Sequence, residues 1–261
     1  MRSLGKVFVA YSGGVDSSYL AWVANAELGR EAVCVLGLSP SVSEFQRMQA
    51  RAFAELHGLN FQEIHTEEAD DPNYQKNESN RCFFCKSELY GKLSEFAADA
   101  KVSVVLDGTN ADDLSDHRPG REAAAISGVR SPLAEIGLTK DEIRELSRHA
   151  GLQTWDMPAS PCLASRIAHG VPVTLERLSI VERGENALRR LGFREFRLRV
   201  HDELARVEIA RPEMAALDQT IFEKIDAELR TLGFKYVTLD LGGFRSGSMN
   251  TGSTPIAKSE K

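Results

Sequence analysis

No apolar run in the 261-residue sequence approaches the roughly 18 residues that a membrane-crossing helix needs, so no membrane partner is expected. The opening MRSLGKVFVAYSGG lacks the apolar stretch and small-residue cleavage site of a secretory leader. Cytoplasmic residence is the expectation. Basic residues are in deficit: 32 Lys and Arg face 38 Asp and Glu, a net charge of −6. That argues mildly against a nucleic-acid partner, which calls for a basic surface. Cysteine is scarce, with only Cys34, Cys82, Cys85 and Cys162. In a reducing compartment a Cys-x-x-Cys pair is more often metal-binding or catalytic than a structural disulfide. The chain has no internal repeat and no low-complexity block, so a repeat architecture is not expected.

What is present is the make-up of a globular protein, 42% hydrophobic and 27% charged, long enough for one large domain or two unequal ones. Strand-like and helix-like runs alternate. KVFVAY (6–11) reads as a strand and 17–29 as a helix. AVCVLGL (32–38) is a continuous apolar run, as in a strand buried on both faces. SEFQRMQARAFAELHG (43–58) is helical, with Gly58 as a C-cap. NFQEIH (60–65) and VSVVLDGTN (102–110) are further strands, the apolar part of the latter ending at Asp107. TKDEIRELSRHAG (139–151) is a helix with Thr139 and Glu142 at capping-box spacing. The alternation predicts an α/β fold, a doubly wound parallel sheet with helices on both faces. The segment from Thr66 to Arg81 is polar, without periodicity, and too long for a simple connector; such loops are functional or disordered.

After RIAHGVPVT (166–174) the texture changes. A charged helix over 175–191, strands at 193–201 and 204–210, a helix from Pro212 to Leu232 and a strand at 235–241 predict a smaller α+β domain. The expected organisation is a nucleotide domain over 1–170, a small domain over 171–250 and a frayed tail over 251–261.

Between the first strand and the first helix lies SGGVDSS. Free N–H groups of such a turn and of the helix N-terminus converge on one spot, and the helix dipole favours negative charge there. Gly13 and Gly14 allow a close approach by an anion, and Ser12, Ser17 and Ser18 add hydroxyl donors. No lysine follows the glycines, so the pattern is not Walker A. Asp16 could shape the loop or help hold Mg²⁺. Taken alone, a glycine pair is a common tight turn; the full SGGVDSS in this setting is much more specific.

Cys82 and Cys85 lie three residues apart at the start of a predicted helix, which puts both thiols on one face, and the helix N-terminus favours thiolate. Cys162, in ASPCLASRI, follows the large domain's last strand. Cys34 reads as an inert core thiol. Three readings of the trio stand: reduced thiols that help a helix pack, a zinc site completed by His65, His117 or His169, and a 4Fe–4S cluster on three cysteines with one iron left open.

In FRLRVH, period two puts Arg197 and Arg199 on one face. If Val200 pairs with Ala205, Arg199 faces Arg206 and Arg197 faces Glu208. Like charges opposite each other are unfavourable unless an anion bridges them. The face is either solvated with one cross-strand salt bridge or a phosphate clamp. Lys86 could assist a clamp or be an exposed helix lysine. Arg118 and Arg121 in SDHRPGR are a second basic pair, or a surface turn.

The SGGVDSS segment resembles the PP-loop of the N-type ATP pyrophosphatases. Six stretches resemble the LarE family of ATP-dependent sulfur transferases of nickel-pincer nucleotide biosynthesis: AYSGGVDSSYL, VVLDGTNADD, DHRPGREAA, ASPCLASRI, FRLRVHDELARVEI and YVTLDLGGFRSGSMN. The last two lie outside the generic nucleotide domain and discriminate best. The resemblance implies adenylation, by ATP with Mg²⁺, of a carboxylate of pyridinium-3,5-dicarboxylic acid mononucleotide, after which sulfur displaces AMP. It implies Ser12, Gly13, Gly14, Asp16, Ser17 and Asp107 around ATP, and Arg197, Arg199 and Lys86 on the substrate phosphate. One form of the family sacrifices a single cysteine, and Cys162 matches its position. Cys82 and Cys85 make this sequence similar instead to the three-cysteine members, which hold a 4Fe–4S cluster and pass on its sulfide. A sulfide or other sulfur donor and a homo-oligomer are further implied. Rival readings are a tRNA thiolase, an amide-forming synthetase or a non-catalytic adenine-nucleotide sensor.

Overall fold

The computed structural model describes residues 1–100, 102, 104–115 and 119–245. The chain divides into two compact units, Met1–Cys162 and Leu163–Lys261.

The first unit is built on four strands: β1 Val7–Ala10, β2 Ala32–Leu38, β3 Asn60–His65 and β4 Val104–Leu106. They run in the order β3-β2-β1-β4, all parallel, with Val9 level with both Cys34 and Leu106. The apolar runs VFV and AVCVL are buried on both faces, which is why they show no alternation. One face carries α1 (Val15–Leu28), α2 (Glu44–Leu56) and, later in the chain, α7. There Val7, Val9, Cys34 and Leu36 pack with Leu20, Ala21, Phe53, Ile143 and Leu152. On the other face Phe8, Val33, Val35 and Val105 meet Tyr90, Leu93 and Ala97 of α4 (Arg81–Asp99) and Ala123 and Ala124 of α5 (Pro119–Ile126). The short α3 (Pro72–Gln75) and α6 (Pro132–Glu135) lie in connections, and α7 spans Lys140–His149. The Thr139–Glu142 capping box forms as expected. The expected first helix begins two residues early, at Val15, because extended Gly14 caps it.

Strand order reverses between β1 and β4. The carboxyl ends of the strands therefore face a switch point, the place where open α/β sheets bind ligands. The polar segment Thr66–Arg81 is ordered. Asp71 caps α3 through its side chain, and Glu68, Tyr74, Asn77 and Arg81 are buried. Its burial is residue by residue, which explains the missing period.

The second unit contains α8 (Leu175–Arg190), strands β5 (Phe196–His201), β6 (Leu204–Ile209) and β7 (Tyr236–Leu239), and α9 (Gln219–Arg230). β5 and β6 form an antiparallel hairpin, and β7 joins β6 in parallel. Leu178, Val181 and Leu188 of α8 and Leu229 of α9 are buried, as are Leu198, Val200, Val207 and Ile209 of the sheet. Gly184 of α8 leaves room for Leu198, which a Cβ there would overlap. The helix expected from Pro212 is a 3₁₀ turn over Arg211–Ala216 and then α9. Asp218 ends the first piece by capping the second, its side chain accepting from the Ile221 N–H at 2.8 Å. Among the described residues no helix is long and apolar enough to cross a membrane.

Candidate active site

The glycine turn closes on itself. Gly13 adopts φ +76°, and a Cβ there would lie 2.8 Å from that of Ala50 on α2. Ser17 Oγ accepts from the Ser12 N–H at 3.2 Å, donates to the Gly14 carbonyl at 3.1 Å and lies 3.0 Å from Ser12 Oγ. The serines therefore shape the turn, and α1 presents its N-terminal N–H groups, which have no intrahelical partner. The turn after β4 presses in from the other side. A Cβ on Gly108 would sit 2.9 Å from the Ser17 nitrogen. Gly108 gave no signal in the sequence beyond its place after a strand.

Asp16 Oδ2 accepts from Lys140 Nζ at 2.5 Å, while its Oδ1 is buried with no partner among the described residues. Such an orphaned oxygen at the mouth of an anion turn fits Mg²⁺. Lys140, 124 positions away, was not foreseen; its one sequence signal is a lysine directly after a capping threonine. Asp107 stands at the carboxyl edge as expected, but its carboxylate is engaged by the protein. Oδ1 accepts from Ser131 Oγ (2.7 Å) and the Thr109 N–H (3.2 Å), and Oδ2 from Thr109 Oγ1 (2.9 Å) and Tyr90 OH (3.0 Å). With four donors in place, Asp107 organises the switch-point loop.

None of the four cysteines is in a disulfide. Cys34 is a core thiol, pushed up to about 12 by burial. Cys82 is exposed on the first turn of α4, and Cys85 is half-buried one turn on. The expectation that the helix start favours a Cys85 thiolate is corrected. Burial pushes its thiol up, and Cys162, Glu68 and Cys82 add to this against the pull of Lys86. The helix dipole fades beyond the first turn, so burial wins. Tyr74 is likewise pushed up, first by burial and then by Cys162, and pairs with Ser41 Oγ. Cys85, Cys162 and Tyr74 thus share one neighbourhood. Glu68 borders it, with Oε1 accepting from Ser39 Oγ.

Three thiols are donors of the kind that suit iron or zinc. As the side chains stand, no three His, Cys, Asp or Glu among the described residues are grouped to hold a metal ion. Of the suggested fourth ligands, His65 is exposed at the end of β3, His169 belongs to the second unit, and His117 lies outside the described residues, as does Arg118. Arg121 donates to the carbonyls of Asp113 and Leu114 at 3.1 and 3.0 Å, a turn-bracing role.

Lys86 is not an exposed helix lysine. It is half-buried, with Nζ 5.4 Å from the Tyr90 ring centroid. Its ammonium is pushed up by Tyr90 first, then by Cys85 and Asp107, against burial. Tyr90 itself is pushed up to about 12 by burial. Lys86 therefore joins the thiol neighbourhood to Asp107.

In the second unit the register is as expected: Arg197 opposite Glu208, Arg199 opposite Arg206, Val200 opposite Ala205. The face is buried, not solvated, and the anion that reconciles Arg199 with Arg206 is Glu208. Arg199 reaches Glu208 Oε2 at 3.0 Å, and Arg206 reaches Oε1 at 3.0 Å. Arg199 lies diagonally across the hairpin from Glu208, and Arg206 two residues before it on the same strand. Arg199 also donates to the Ser165 carbonyl at 3.2 Å. Arg166 makes a buried two-pronged pair with Glu185 at 2.8 and 3.1 Å. Arg197 lies over the Phe244 ring at 4.7 Å and is pushed down to about 10 by burial and then by Arg166. Among the described residues of the second unit, Arg166, Arg197 and Arg199 are buried, and guanidinium groups suit the recognition of a phosphate. Arg166 and Glu185 were missed because their pairing leaves no local pattern.

No protein-family model matches the chain. It is 36% identical, over 96% of its length and 91% of the relative's, to the pyridinium-3,5-bisthiocarboxylic acid mononucleotide synthase of Lactiplantibacillus plantarum. An uncharacterized protein of Synechocystis sp. is 43% identical over 95% of this chain and 92% of its own. A glutamine-hydrolyzing GMP synthase component of Thermoplasma acidophilum is 27% identical over 69% of this chain and 62% of its own.

Proposed function

The chain belongs to the LarE family of pyridinium-3,5-bisthiocarboxylic acid mononucleotide synthases, and on that premise we propose an ATP-dependent sulfur transferase that works by adenylation. It is an enzyme of nickel-pincer cofactor biosynthesis, and its substrate is pyridinium-3,5-dicarboxylic acid mononucleotide. In the first step a substrate carboxylate oxygen attacks the α-phosphorus of ATP, and the bond to the β-phosphate bridge breaks. Ser12, Gly13, Gly14 and Ser17 hold the departing pyrophosphate by backbone N–H groups and hydroxyls, at the positive end of α1. Asp16 would hold Mg²⁺, which supplies charge neutralisation on those phosphates. In the second step sulfur attacks the acyl carbon and AMP leaves with the bonding pair, giving the thiocarboxylate.

Cys82, Cys85 and Cys162 are the residues that would hold a 4Fe–4S cluster, which when bound supplies a transferable sulfide. Lys86, between the thiols and Asp107, attracts anionic sulfur and steadies developing negative charge. Arg197 and Arg199 hold the substrate phosphate, the placing of both guanidinium groups on one face of β5 being the supporting observation.

The observation that carries the reading is the glycine turn at the switch point, with its positive-φ Gly13 and orphaned Asp16 oxygen. Pyrophosphate release from ATP is the test. Release that rises on adding the dicarboxylate nucleotide is expected; release that is absent or indifferent to it points to a nucleotide sensor. Anaerobic iron and sulfide analysis of wild type beside Cys82→Ala tests the cluster. Equal iron in both removes it.

A further inference from the structure

One buried polar pair beside the thiols has no part in the chemistry above. Tyr74 lies on α3, which packs against α4, the helix of Cys82 and Cys85. Its hydroxyl pairs with Ser41 Oγ, in the loop between β2 and α2. The same loop runs into α2, where Gln46 Nε2 donates to the Ser160 carbonyl at 2.6 Å, two residues before Cys162. Packing and hydrogen bonds thus tie the Tyr74–Ser41 pair to both thiol-bearing stretches. Charge agrees: after burial, Cys162 and Cys85 are the groups that hold the Tyr74 hydroxyl above its ordinary range. Two hydroxyls joined by one hydrogen bond have two protons and use one of them. The other needs an acceptor, because a buried O–H without one is costly. Bulk water does not reach it, since Tyr74 and Ser41 are each 1% exposed. Among the described residues no second protein acceptor is in place. The Ser39 hydroxyl takes the Ser41 N–H at 2.9 Å and is itself given to Glu68. Glu68 acts on Cys85 but is not among the groups that act on Tyr74. Sulfur is the acceptor left.

We infer that the Tyr74 hydroxyl donates to sulfur at the Cys85 and Cys162 side of the thiol site, and that Ser41, by donating to the Tyr74 oxygen, turns the phenolic proton that way. This role rests on the reading of Cys82, Cys85 and Cys162 as the site of sulfur transfer. Burial works against anionic sulfur there, and an O–H donor offsets part of that cost. Burial also keeps the proton on Tyr74, so the phenol stays a donor beside a negative charge. Ser41 is a positioning residue that acts through Tyr74.

Loading the full chain with Co²⁺ alone, without oxygen, tests this in wild type, Tyr74→Phe and Ser41→Ala. Thiolate-to-cobalt charge-transfer absorption reads the sulfur directly. A hydrogen-bond donor lowers the energy of the sulfur lone pair, so its loss moves the band to longer wavelength. Tyr74→Phe should show that move and bind Co²⁺ about two- to tenfold more weakly, as for one lost hydrogen bond. Ser41→Ala, which leaves the phenol but frees its rotation, should show the same move in smaller measure. Denaturant unfolding is measured beside the spectra. A band unmoved in Tyr74→Phe overturns the inference whatever happens to stability, because a packing role alone leaves the sulfur unaltered. So does a larger move in Ser41→Ala than in Tyr74→Phe, which makes the serine the donor. Should Tyr74→Phe fail to fold, Ser41→Ala carries the test, and an unmoved band there overturns the inference. A wild-type chain that binds no Co²⁺ through sulfur fails differently: it removes the thiol site, and with it the sulfur-transfer reading on which the hydrogen bond depends.

Discussion

Two regions of this molecule are suited to negative charge, and they are built on opposite principles. The glycine turn of the first unit uses helix N–H groups, hydroxyls and one partly exposed lysine. Little of its charge is buried, and its cost is paid in backbone conformation at Gly13. The arginine sheet of the second unit and the elements packed on it bury whole guanidinium groups, pairing Arg199 with Glu208 and Arg166 with Glu185. Dipoles need no counter-ion; buried cations do. Damage to the first region should therefore appear as lost binding, and damage to the second as lost folding.

Glu208→Ala gives the sharpest contrast. It strands Arg199 and Arg206 around a position with no solvent exposure, and breaking such a buried pair costs about 3–5 kcal/mol. Denaturant unfolding should show the second unit melting first; a variant as stable as wild type would erase the distinction. Gly13→Ala comes next. Its positive φ and the approach to Ala50 predict about 1–3 kcal/mol of strain. ATP binding, read by calorimetry, should fall further than stability does. Ser17→Ala removes the hydroxyl that ties Ser12 to Gly14 and should cost about 0.5–1.5 kcal/mol in nucleotide affinity.

The smallest effect is one of pH and belongs to the arginine sheet. His201 is pushed below its ordinary value of 6.5 by burial, then by Arg206 and Arg199. The unfolded chain therefore binds the proton more readily than the folded one. The contribution of His201 to stability is complete above 6.5 and declines as pH falls through that value. Unfolding at pH 7.5 and 5.5 should show a steeper acid loss in wild type than in His201→Gln; equal slopes would refute it.

Much of the first region was legible in the sequence, and much of the second was not. Apolar runs buried on both faces announce β1 and β2, and a glycine pair between strand and helix announces the turn. Period two put Arg197 and Arg199 on one face, and the pairing of Val200 with Ala205, on which the register was conditional, is the one observed. Burial of that face was hidden, because it depends on carboxylates that pair diagonally or, as with Arg166 and Glu185, across 19 positions. Lys140 was hidden from Asp16 by 124 positions. The thiol of Cys85 was misjudged because local spacing reports the helix dipole and not the burial of the thiol or the charge of Glu68, 17 positions away.

Helix α4 is a rigid rod with a task at each end of a short span. Cys85 and Tyr90 lie five residues apart, about 7.5 Å along the axis, and Tyr90 holds Asp107, next to the glycine that abuts the Ser17 amide. One helix thus sets the spacing between the thiol neighbourhood and the loop that follows β4.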